Sequence, residues 1–179
     1  GCDVIVDDVR YQTESPFQDG IIAQAVNTVT TDGALYFASA GNSGNKNDGT
    51  SGTWEGDFED GGTVTEPVNG RGGNYHVFGT NNFNTATASG GSLSLFWADP
   101  LGGSTNDYDL FLLDEEGTTV LASSTTTQDG TQDPFEITGG AFTGERVVVV
   151  KVTGDPRFLH VDSGRGRLAF NTEGFGRGH

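Results

Sequence analysis

Residues 92–113 read SLSLFWADPLGGSTNDYDLFLL. Two β-rich runs flank a loop of Asp, Pro, Gly, Ser and Asn, residue types that reverse a chain, so the stretch predicts two strands joined by a turn-bearing connection. Leu93, Leu95 and Trp97 alternate and fall on one face of the first strand. On either side, short runs of the same kind recur at 75–78, 118–122, 134–137, 146–152 (RVVVVKV), 158–161 and 167–170, with Gly, Asn and Asp between them and no helical period. That rhythm predicts a mainly β fold, with an antiparallel β-sandwich or jelly roll over residues 49–170.

The first 48 residues follow a different pattern. Residues 3–9 (DVIVDDV) are a β-branched run ending in acids, and residues 34–40 (ALYFASA) form a second apolar run bounded by glycine. Between them Ile21, Ile22, Ala25, Val26 and Val29 recur at helical spacing, with Ser15 and Pro16 as an expected N-cap and first turn and Gly33 as the expected stop. Strand, helix, strand predicts a parallel βαβ unit. Asn42 then stands just beyond the carboxyl end of the second strand, where open α/β sheets place working residues. Its side-chain amide suits donation to a developing oxyanion, and an Asn suits a left-handed turn position equally.

Charge narrows the partners. The chain holds 25 acidic and 9 basic residues, a net charge of -16, which argues against nucleic acid and anionic membrane because phosphate neutralisation needs Lys and Arg. No apolar run approaches the roughly 18 to 20 residues that span a bilayer. The excess lies before residue 141, and the mildly basic remainder is expected to pair with the acidic body. Cys2 is the lone cysteine, which excludes an intrachain disulfide and a zinc site built on paired thiolates. With Gly1 in front and no Met, the chain reads as a processed product or a piece of a longer one.

Acids also cluster. Asp99, Asn106, Asp107 and Asp109 gather around one predicted strand start, and alternation places Asp107 and Asp109 on the same side, so Asp99, Asp107 and Asp109 are candidate ligands for an oxygen-bound cation such as calcium. Turn-forming Asp and Asn residues at strand ends are the alternative.

The motif order carries a resemblance. DVIVDD, QDGIIAQAVNTVTTDG and LYFASAGNSG resemble the middle of the catalytic domain of a subtilisin-like serine protease, while residues 96–137 resemble a pre-peptidase C-terminal jelly roll of the kind inserted in some large bacterial subtilases. DPRFLHVDSGRGRLAFNTEGFGRGH resembles the segment that leaves such an insertion, with 171–179 returning toward the protease domain. The resemblance implies the division 1–48, 49–170 and 171–179, a secreted, extracellular source, an oxyanion-hole role for Asn42, and a substrate-binding strand edge at Asp7, Asp8 and Val9. The family's catalytic Asp and His motifs and its G-T-S-M-A-x-P nucleophile motif are missing; residues 49–51 spell GTS but continue into GTWEGDF. The expectation is therefore a non-catalytic portion of a secreted endopeptidase, inactive alone, that meets peptide substrate only when other protease segments complement it. A self-associating or ligand-binding extracellular structural module, stabilised by calcium, is the alternative.

Overall fold

The computed structural model describes residues 2–172. The expected return segment therefore lies outside the described residues from 173 onward. In chain order the elements are β1 (Val4–Asp7), α1 (Ile21–Thr31), β2 (Leu35–Ala38), β3 (Thr53–Asp57), β4 (Asp60–Thr63), β5 (Asn74–His76), β6 (Asn84–Ala88), β7 (Ser92–Trp97), β8 (Asp107–Leu113), β9 (Val120–Ser124), β10 (Phe135–Gly140), β11 (Arg146–Thr153), β12 (Phe158–Asp162) and β13 (Arg167–Leu168). The fold is mainly β, and every pairing among the described strands is antiparallel except β1 with β2.

Two sheets form the sandwich. One runs β10-β7-β12-β3. The other centres on β11, which pairs along one edge with β8 and gives its other edge to β6 at its start and β5 near its end. β9, β13 and β4 extend that sheet through β8, β6 and β5. The main core lies between the sheets. Leu93, Leu95 and Trp97 of β7 face Tyr108, Leu110 and Leu112 of β8, with Val147, Val149, Leu159 and Val161 beside them. The alternation in 92–98 thus marks the buried face. Burying such a side chain contributes about 1.5 to 3 kcal/mol, which makes this layer the main source of stability.

RVVVVKV does not alternate because β11 is covered on both sides. Val147 and Val149 face the main core, whereas Val148 and Val150 join Phe111, Leu113 and Tyr75 in a second cluster beneath Val64 and Val68. The segment between β4 and β5, ending in a short 3-10 turn at Asn69–Arg71, lies over the outer face of the sheet.

The amino-terminal unit is a parallel pair with one crossover helix. Val4 pairs with Leu35 and Val6 with Phe37, and all four are about half exposed or more, forming one open apolar face. The helix begins later than the Ser15-Pro16 pattern predicts. Ser15 accepts from the Phe17 N–H within the preceding loop, and Glu14 reaches forward to accept the free Ala23 N–H in the first helical turn, so an acid supplies the capping bond. Gly33, at φ +96°, ends the helix as expected. No helix among the described residues is long and apolar enough to cross a membrane.

Candidate functional site

Parallel strands end on the same side, so the loops leaving β1 and β2 emerge together. Between them lies a concave pocket of about 110 Å³, lined by Asp8, Val9 and Arg10 from the first loop and by residues 39–43 from the second. The sandwich contributes Asp162 and Arg165 to the same lining. Asn42 is exposed there, and its carboxamide makes no hydrogen bond among the described residues, which leaves its N–H groups free to donate. Gly41 precedes it at φ +72°, a backbone state that any side chain would strain.

Of the three residues expected along the substrate edge, Asp8 and Val9 line the pocket and Asp7 does not. Asp7 accepts from the Val9 N–H at 2.8 Å and from the Tyr36 hydroxyl at 2.5 Å, linking β1 to β2. This hydrogen bond, aided by burial and by the Asp7 charge, pushes the Tyr36 hydroxyl up to about 12.

Side chains of the loop after β1 seat the amino-terminal unit on the sandwich. Arg10 forms an ion pair with Asp162, which is buried. Gln18 donates to the Asp99 carbonyl and accepts from the Leu101 N–H, a two-point grip on one backbone turn. Phe17 meets Phe158 edge to face at 6.0 Å between ring centroids. The joining loops dock; the apolar face of the parallel pair does not.

The acidic cluster separates into two arrangements, each built on an arginine. Asp107 and Asp109 do share one side of β8, and Arg71 from the overlying segment binds both, with Nη2 2.6 Å from Asp107. Burial raises the Asp109 carboxyl to about 7; Arg71 opposes this rise, and Asp107 and Glu136 add to it. Asp99 instead accepts from Arg157 Nε at 2.6 Å and from Asn106 and Ser104. Burial pushes the Asp99 carboxyl upward, but these donors outweigh it and hold it below the usual carboxylate range. The three candidate ligands are thus divided between two guanidinium groups, and as arranged they do not form a common oxygen cage. Among the described residues no three His, Cys, Asp or Glu side chains converge on a point that could hold a metal ion.

No nucleophile assembles from the candidate motif. Ser51 is buried, its hydroxyl donating to the Thr172 carbonyl and accepting from the Thr53 N–H. His160 sits against Glu55 at 2.6 Å, and His76 is wholly enclosed among Trp54, Phe58 and Phe78. Both histidines lie on sheet faces, buried rather than at the surface.

Reading the sequence alone misses Arg10, Asp162 and Arg165. They carry no local motif, and only the docking of the sandwich on the parallel unit brings them to Asn42. No protein-family model matches the chain, and no curated protein matches it significantly.

Proposed function

We propose that the chain is the oxyanion-hole portion of a secreted subtilisin-like serine endopeptidase together with an accessory β-sandwich. One observation carries this reading: Asp8 and Val9, expected at a substrate edge, and Asn42, expected to hold an oxyanion, line one pocket at the ends of two parallel strands. In peptide-bond hydrolysis the Asn42 amide would donate to the oxygen that gains negative charge when a nucleophile attacks the carbonyl, and such a donor is worth about 3 to 4 kcal/mol in the transition state. The nucleophile, base and orienting acid come from segments outside this chain, because no such trio is present in its sequence motifs.

The open apolar face of Val4, Val6, Leu35 and Phe37 supports the same reading, since a parallel pair normally belongs to a larger sheet covered on both faces. It also favours the second reading, a self-associating extracellular module. Co-expression of the chain with the segments that flank it in its gene tests the first reading: the assembly should cleave casein and label with a fluorophosphonate, and Asn42→Ala should lower kcat about 100- to 1,000-fold without preventing labelling. An inactive, unlabelled assembly, or full activity in Asn42→Ala, would overturn it.

A further inference from the structure

We infer that Arg165 makes this pocket selective for a carboxylate-bearing peptide, so that the sandwich supplies a specificity determinant to a site whose other walls belong to the parallel unit. The inference rests on the reading of the pocket as a peptide site. Four charged side chains line it: Asp8, Arg10, Asp162 and Arg165. Arg10 and Asp162 neutralise each other. Arg165 is exposed and forms no ion pair among the described residues, in a chain whose net charge is -16 and where acidic partners abound.

Its backbone is held as unusually as its charge. Arg165 is the one residue other than glycine, among those described, with a positive φ, +72°. With Gly164 at φ +60° and the Gly166 N–H bonded to the Ser163 carbonyl, residues 163–166 make a tight turn whose two central positions both need left-handed backbone. Glycine fills the second of these without strain, and Asn or Asp fills it at little cost, whereas an arginine gains nothing locally from being there. The Gly164 N–H is fixed by Asp162 and its carbonyl by the Gly91 N–H, so the turn is anchored on both sides. A guanidinium thus held at the rim, with its five donors unused by ion pairing, presents the fork that carboxylates bind. At about 110 Å³ the pocket has room for a carboxyl group. Among the described residues Asp8 is the one anion of the lining without an ion pair, and it works against the same ligand.

Titration of the chain assembled with its complementing protease segments, isotope-labelled in this chain alone and followed by NMR at the Asn42 side-chain amide and the backbone of residues 39–43, tests this. The probes are two end-blocked tetrapeptides differing only in Glu or Gln at the third position, and an all-alanine tetrapeptide with a free carboxyl terminus. The Glu peptide should bind about fivefold tighter than the Gln peptide, the upper range for one exposed ion pair, with a preference that shrinks as salt is added. Arg165→Gly, which adopts the turn freely, should abolish the preference, Arg165→Lys should keep part of it, and Asp8→Asn should widen it. Preferential binding of the free-carboxyl peptide alone would support the inference with the chain end as the carboxylate source. Equal binding of the Glu and Gln peptides with no binding of the free-carboxyl one, or a preference that survives Arg165→Gly, would overturn it and leave the peptide site standing. The absence of any shift at residues 39–43 would overturn both.

Discussion

Arg10 in the loop after β1 is ion-paired with Asp162 at the end of β12, and this pair ties the parallel unit to the sandwich across the pocket wall. Asp162 is buried and Arg10 about one quarter exposed, so the pair lies between the surface case, worth about 0 to 1 kcal/mol, and the buried one, where losing a partner costs about 3 to 5 kcal/mol. Arg10→Ala should therefore cost about 1 to 2 kcal/mol. Asp162 would keep the Gly164 N–H as a donor, so the sandwich turn should hold while the docking loosens. Hydrogen exchange should quicken in β1, α1 and β2 and stay unchanged in β7, β8 and β11. Uniform acceleration throughout would mean that the two units unfold as one.

Arg71 is the only cation paired with Asp107 and Asp109 among the described residues, and both carboxylates are buried. Arg71→Ala leaves them uncompensated and frees the segment that covers Val148 and Val150. The expected loss is about 3 kcal/mol, read from the urea midpoint. Calcium sharpens the test. In the wild type a guanidinium holds the two carboxylates that calcium would need; in Arg71→Ala they face one side of β8 together. Calcium should raise the melting temperature of the variant more than that of the wild type, and chelator should reverse the gain. Equal shifts in the two proteins would remove Asp107 and Asp109 from consideration as ligands.

The part of this architecture legible in the sequence is the part governed by short-range pattern. Leu93, Leu95 and Trp97 alternate because one face of β7 is core, and residues 107–113 and 146–153 are strongly β-forming whichever face is covered. β3 (TWEGD), β4 (DGGT) and β6 (NTATA) were illegible: their Gly, Thr and Asn content gives no apolar period, and they become strands because β12, β5 and β11 offer them unpaired edges. The same division holds at the site. Asn42 follows from the end of a predicted strand, Asp8 and Val9 follow from the family resemblance alone, and the shared side of Asp107 and Asp109 follows from alternation. Arg71 and Arg10 as their partners and neighbours do not, since tertiary packing alone sets those pairs.

His76 carries the clearest pH dependence. Its Nδ1 accepts the Glu59 N–H, so the neutral ring bears its proton on Nε2, which has no hydrogen-bond partner among the described residues and is surrounded by aromatic rings. Burial lowers its pKa from 6.5 to about 4. Between those values the unfolded chain binds a proton that the folded chain refuses. The stability from this residue is complete above about pH 6.5 and drains as the pH falls toward 4, by about 3 kcal/mol at about 1.4 kcal/mol per unit. Urea midpoints at pH 7.5 and 4.5 should differ accordingly, and His76→Phe should flatten that difference. A pH profile identical in His76→Phe would assign the acid sensitivity to the carboxylates.

The open face of Val4, Val6, Leu35 and Phe37 distinguishes the two functional readings, because each supplies a different cover. Self-association must bring together two chains that each carry a charge of -16, so repulsion opposes it at low ionic strength. Salt shortens the range of that repulsion to about 8 Å at physiological strength and leaves apolar contact intact. If second copies cover the face, light scattering should show association that grows with salt, and Val6→Glu with Phe37→Glu should prevent it at every salt concentration. If protease segments cover it instead, the isolated chain should stay monomeric in salt, and the double variant should block recovery of activity on co-expression while leaving the melting of the sandwich unchanged. The two readings therefore diverge on a single pair of substitutions. The sandwich serves as an internal control, since its core between β7 and β8 includes neither altered residue.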